Sequence, residues 1–282
     1  LRRHREVVRA TRTGGWSKPV SVQEKPCMEQ LVSHPLFFFV AAMVSMSLAA
    51  WIGATVLRGK KPLDDASRDD FSVVQSATLT LLALVIGFSL SMAVARYDQR
   101  KNYEEEEANA IGTEFLRADL LPASEAAATR ALLLKYLDQR IQYYRIRDPR
   151  QLAQIDAATT QLETAMWTAV RSGAAAQPNP VTALAVAGMN DVINTQGYTQ
   201  APWWNRVPFA AWTLLVLIGL FCNLLVGYGS RSGTARARFL LVMPLVVSLS
   251  IMLIADIDSP RNGIIRVVPQ NLISLVQSLP KP

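Results

Sequence analysis

Residues 71–122 read FSVVQSATLTLLALVIGFSLSMAVARYDQRKNYEEEEANAIGTEFLRADLLP. From Phe71 to Ala95 no residue is charged; from Arg96 onward charges recur in almost every turn, and no proline intervenes before Pro122. A helix rises about 1.5 Å per residue, so about 20 apolar residues cross about 30 Å of hydrocarbon. The stretch therefore predicts one helix that crosses a membrane and runs on, unbroken, to Leu121.

Working outward, three further uncharged windows have the length of membrane spans: Leu36 to Leu57, Val207 to Ser230 and Phe239 to Ala255. Four such runs in 282 residues leave too little polar surface to cover them in water. The expected fold is an all-α integral membrane protein with four transmembrane helices in two hairpins and a helical insert between them. Loops 58–70 and 231–238 join the pairs. The chain divides into a basic leader (1–27), a first hairpin (28–95), a helical domain (96–206), a second hairpin (207–256) and an amphipathic tail (257–282). Trp203 and Trp204 suit an interfacial position before the third span, and Pro208 suits its first turn. Pro244 is expected to kink the fourth span.

Apolar residues at helical spacing predict further helices in the insert. One, Ala123 to Arg147, carries Leu133, Leu137, Ile141 and Tyr144 on one stripe. A second runs from Pro149 to Arg171 and is ended by Gly173; a third starts at Asn179-Pro180 and is closed by Gly197. After Pro269, Leu272, Leu275, Val276 and Leu279 form a short amphipathic stretch that should dock on these helices or on the membrane.

Half of the residues are hydrophobic and only 18% are charged, against about 25% in soluble chains. Cys27 and Cys222, one of them in an apolar run, do not build a zinc site, and with only His4 and His34 histidine-based metal or triad chemistry is nearly excluded. No glycine-rich phosphate loop, nucleophile elbow or cysteine pair is present, so no catalytic residue, metal or cofactor is expected and the chain does not read as an enzyme. Residues 1–27 carry seven Lys/Arg against Glu6 and Glu24, which is +5 of the total +7. They read as a disordered tail, consistent with an extension upstream of a start at Met28. The alternative is a basic arm touching anionic lipid; with only Trp16 interleaved, nucleic acid is not an expected partner.

On the second span Ser72, Ser76, Thr80, Ala83, Gly87 and Ser91 fall within about a third of the helix circumference at about 100° per residue. Such a stripe serves either close helix packing or a pore-lining face. Just beyond, Glu104 to Glu107 surround the helix, as solvated charge or as an acidic collar paired with Arg96, Arg100 and Lys101. Glu107, Glu114 and Arg117 share a face that is either solvated or a polar helix contact, while Ala108, Ile111 and Phe115 form the buried face. Asp256 and Asp258 end the fourth span before Pro260 and Arg261, as a turn with an Asp–Arg pair or as a polar site.

The run 86–122 resembles the bestrophin-like bacterial membrane domain, and so does MPLVVSLSIMLIADIDSPRNGIIRVVPQNLISL at 243–275. The likeness covers most of 28–279. Arg96, Tyr97, Asp98, Asn109, Glu114, Arg117, Asp256, Asp258, Pro260, Arg261, Gly263 and Asn271 sit in its recognisable motifs. The family is remotely similar to true bestrophins, which are pentameric anion channels with four spans and helical cytosolic regions. The resemblance thus implies a homo-oligomer in the lipid bilayer of a bacterial inner membrane, handling inorganic ions. Two departures stand: the second span has only Phe71 and Phe88 where bestrophins carry a row of neck aromatics, and no calcium-binding acidic cluster carries over.

The positive charges do not orient the chain. Arg58, Lys60, Lys61, Arg68, Arg231, Arg236 and Arg238 flank the short loops, against Arg96, Arg100, Lys101, Arg206, Arg261 and Arg266 on the other side. The resemblance implies a cytosolic insert and cytosolic termini. Two functions remain open on sequence: an oligomeric ion (anion) channel, or a non-conducting membrane scaffold whose helical domain binds partners. In the first the stripe faces a central axis; in the second it faces another helix of its own subunit.

Overall fold

The computed structural model describes residues 35–60, 63–230 and 236–280; the basic leader lies outside the described residues. Among the described residues there is no strand. Helix α1, Pro35–Ile52, continues through a π-helical turn, Gly53–Leu57, into Arg58–Lys60. Helix α2, Asp65–Arg117, is capped by Asp64, whose carboxylate accepts from Ser67 N. It runs for 53 residues, about 80 Å at 1.5 Å per residue. A 3₁₀ turn, Ala118–Leu120, carries it to Pro122.

The extramembrane helices are α3 (Ala123–Arg145), α4 (Pro149–Ala176) and α5 (Thr182–Trp204). Then follow α6 (Phe209–Gly229), α7 (Arg236–Asp258) and the short α8 (Gln270–Ser278). Four helices are long and apolar enough to cross a membrane, with α1, α2, α6 and α7 carrying the uncharged windows.

Two glycines expected to end helices do not. α4 passes through Gly173, which is buried where an added Cβ would lie 3.0 Å from Glu125 Cβ and 3.2 Å from Leu121 Cδ2. Gly173 is a packing residue that lets α4 approach the start of α3. α5 passes through Gly197, held in helix by buried Val192 and Thr199 on either side, and takes Pro202 into its last turn. α7 likewise runs through Pro244.

The spans pack crosswise. α1 lies against α6 and α7, and α2 lies against the same two helices, while α1 and α2 have no extensive contact with each other. The α1–α6 contact is built on small residues: a Cβ on Gly53 would overlap Leu224 O and lie 2.9 Å from Tyr228 N, and one on Gly227 would overlap Ala50 O. Met46, Leu82, Ala93, Leu215, Cys222, Val247, Ile251 and Ile254 form the core among the spans. A second core gathers Ala108, Ile111 and Phe115 of α2 with Leu133, Tyr136, Leu137, Met166, Val192 and Leu272. The last of these docks α8 on the helical domain.

Candidate functional site

α2 runs through both cores, so its faces decide what the molecule can do. Ser72, Ser76, Thr80, Ala83, Gly87 and Ser91 are all exposed. A Cβ on Gly87 would meet nothing within 4 Å. The stripe therefore packs against no helix of its own subunit. Beside the stripe α2 exposes Val73, Leu84 and Phe88, and the outward faces of the other spans are of that kind. They carry bulky apolar groups such as Phe37, Val44 and Trp51 on α1, Phe209 and Phe221 on α6, and Leu241 and Leu245 on α7, the usual dress of a helix facing lipid. Thr80 donates its hydroxyl to Ser76 O at 2.9 Å, and Ser72 to Asp69 O at 2.8 Å. No such bond engages the hydroxyls of Ser76 and Ser91 among the described residues, which leaves both able to donate outward.

Beyond the span the buried face of α2 carries charged residues beside Ala108, Ile111 and Phe115. Arg100, Glu104, Glu107 and Glu114 are each at most 2% exposed; Asp98 and Asn109, expected in the same polar motif, are exposed. The expected collar pairing with Arg96, Arg100 and Lys101 does not form. Glu104 instead accepts from Leu272 N at 3.0 Å and Asn271 Nδ2 at 2.7 Å, which fastens the start of α8. Glu107 forms an ion pair with Arg140 of α3, and both are fully buried. Arg140 also donates to Thr199 Oγ1 at 2.8 Å, and Tyr144 donates to Glu107 at 3.3 Å. Burial opposes the charge on Arg140, but Glu107 outweighs it and raises the guanidinium above the ordinary arginine value.

Glu114 makes no hydrogen bond although both oxygens are buried. It lies with Arg117 over Gly188, where any Cβ would overlap Glu114 Oε2. Burial pushes its carboxyl up to about 8, with Arg117 pulling down and Asp191 pushing up. Arg117 reaches Asp191 at 4.0 Å. Thus Glu114 and Arg117 form a contact between α2 and α5, not a solvated face.

At the end of α7 the acidic pair divides its work. Asp256 accepts from Ile264 N and Ile265 N, both at 2.7 Å, and folds the tail back on itself. Gly263 is required there, because a Cβ would overlap Asp256 O. Asp258 accepts from Val207 N at 3.1 and 3.2 Å, which ties the fourth span to the start of the third. Arg261 pairs with neither. It donates to Tyr143 O at 2.9 Å and Ile146 O at 3.1 Å, and its guanidinium lies 4.3 Å from the Trp203 ring centre. The expected Asp–Arg pair is therefore a cation–π and carbonyl contact with α3 and α5.

Sequence reasoning passed over Arg140 and Tyr143. The signal for Arg140 was its register: it lies seven residues after Leu133 and four before Tyr144, on the apolar stripe of α3. Among the described residues no three His, Cys, Asp or Glu are grouped closely enough to hold a metal ion.

Comparison with known proteins accords with this architecture. No curated protein matches the chain in sequence. A crystal structure of a bacterial bestrophin homologue from Klebsiella pneumoniae aligns with a TM-score of 0.61 at 15% identity, covering 87% of this chain and 99% of that one. Two crystal structures of single-substitution variants from that organism align with TM-scores of 0.60, at 13% and 14% identity. They cover 85% and 86% of this chain, and 99% and 98% of theirs. The likeness extends to the whole fold. The Bestrophin-like domain family matches residues 40–272 in sequence, and the chain belongs to that family.

Proposed function

We propose that this protein is a subunit of a homo-oligomeric anion channel of the bacterial inner membrane, with the small-residue face of α2 lining the path. The observation that carries this reading is the exposure of Ser72, Ser76, Thr80, Ala83, Gly87 and Ser91 beside outer faces that are otherwise bulky and apolar. A four-helix subunit is too small to enclose water and shield it from lipid, so the face must line an axis around which several copies are arranged. The free hydroxyls of Ser76 and Ser91 offer donors to a passing anion without a fixed charge to trap it. In this reading the spans cross as two hairpins, 28–95 and 207–256, with the 96–206 domain and the 257–282 tail in the cytosol. Arg58 donates to Ser230 O at 2.6 Å, and the Phe71 and Tyr228 rings are 5.5 Å apart. Both contacts support short loops that share one end of the bundle.

The test is anion flux from liposomes containing purified protein, wild type against Gly87→Phe, with thermal stability measured in parallel. The space around Gly87 predicts lost flux at unchanged stability. Retained flux in a stable Gly87→Phe protein overturns the pore-face assignment. No flux from wild type under any ionic condition overturns conduction and leaves the membrane scaffold as the reading.

A further inference from the structure

Where α2 leaves the membrane, three arginines lie within electrostatic reach of one carboxylate, Asp258. Arg100 is 2% exposed and its Nη2 donates to Ile257 O at 2.8 Å, beside Asp258. Arg96 sits one turn before it on the same helix. Arg206 directly precedes Val207, whose N–H is held by Asp258. Arg96, Arg100 and Arg206 all act electrostatically on Asp258. The Nη1 atoms of Arg96 and Arg100 are buried and have no hydrogen-bond partner.

The neighbouring carboxylates are engaged elsewhere, Asp256 with Ile264 N and Ile265 N and Glu104 with Leu272 N and Asn271. One carboxylate therefore faces three guanidinium groups. Buried positive charge with unmatched N–H donors is costly unless an anion answers it. Arginines in a fork geometry match phosphate oxygens better than any other side chain does. The depth also fits: Arg96 follows the last uncharged residue of its span and Arg206 precedes the first of the next, the level at which phospholipid phosphates lie.

We propose that Arg96, Arg100 and Arg206 form a phosphate-group binding site at the membrane boundary of α2, α6 and α7. The phosphate comes from an anionic phospholipid headgroup or from inorganic phosphate. The site lies on the inward face of α2, away from the exposed stripe, and does not depend on conduction.

The test uses the full chain in uncharged detergent. Melting temperature is followed during titration with phosphatidylglycerol, phosphatidylcholine or inorganic phosphate, for wild type and for the Arg96→Gln/Arg206→Gln double variant. Arg100, which holds Ile257, is left in place. Phosphatidylglycerol should raise the wild-type melting temperature more than phosphatidylcholine, with at least a tenfold loss of apparent affinity in the variant. If inorganic phosphate reproduces the shift, the ligand is the free anion; if only phosphatidylglycerol does, it is the lipid. No shift in wild type with either phosphate, or equal shifts in wild type and variant, overturns the site. Arg206→Gln alone, read by the same titration, serves where the double variant yields no folded protein.

Discussion

Both halves of α2 turn the same helix face to the protein, but what that face carries changes at the membrane boundary. In the membrane half Leu82 and Ala93 are buried while the hydroxyls of Ser76, Thr80 and Ser91 face outward. In the outer half Arg100, Glu104, Glu107 and Glu114 are buried and Leu116 is 68% exposed. Polarity alone does not say which face is inside. A hydroxyl can answer its own helix, as Thr80 does at Ser76 O. A buried charge cannot, and must be met by another element. Arg140, Asn271, the Leu272 N–H and Ile257 O are those answers, and each one fixes where a distant part of the chain docks.

The largest break in that comparison comes from Arg140→Met. Removing one partner of a buried ion pair costs about 3–5 kcal/mol because Glu107 is left uncompensated. Denaturant unfolding should show that loss, and Glu107→Met in the same chain should recover most of it. If the double variant is no more stable than the single, the pair is not what holds α2 to α3.

Glu104→Ala removes the acceptor for two donors at the start of α8. Leaving a buried N–H unmet costs about 1–3 kcal/mol. The measurement is hydrogen exchange over 264–279, which should speed up there while exchange in α3 and α4 is unchanged. Uniform acceleration would mean that the tail is not separately fastened.

Glu114→Gln tests a buried carboxyl whose two oxygens have no hydrogen-bond partner. Its folded carboxyl titrates at about 8, against 4.5 for the ordinary glutamate. Between those values the folded chain binds the proton and the unfolded chain does not, so this group lowers stability as pH rises from about 5 to about 8. Above that window its effect is constant. Melting curves should fall across it in wild type and fall less in Glu114→Gln; parallel curves would remove Glu114 from the account.

Much of this was legible beforehand. Absence of charge marked the spans, and absence of proline carried α2 from the membrane to Pro122. The apolar spacing of Ala108, Ile111 and Phe115 found the buried face. What was not legible depends on distant partners. The register of Glu107 and Glu114 is equally compatible with water or with an answering group, and Arg140 lies 33 residues away from Glu107. Gly173 and Gly197 look like helix ends because local propensity favours a stop there, but the packing of Val170 and Val192 carries both helices onward. The crosswise pairing of spans is equally invisible, since short loops make consecutive helices look like packing partners.

The finest contrast uses one substitution at two glycines. Gly227→Ala puts a methyl group into the backbone of α1 at Ala50, and overpacking of this kind costs about 1–3 kcal/mol. Gly87→Ala places the same methyl group in open space. There it removes only the backbone freedom of glycine in a helix, which stabilises by about 0.4–1 kcal/mol. The two melting temperatures should therefore move in opposite directions from wild type. If both fall, and the Gly87→Ala oligomer also dissociates on size-exclusion chromatography, then Gly87 is in close contact with a neighbouring copy and the stripe is an interface between subunits, not a wet face. If Gly87→Ala rises while the assembly stays intact, the stripe is free of protein on every side, as a pore wall must be.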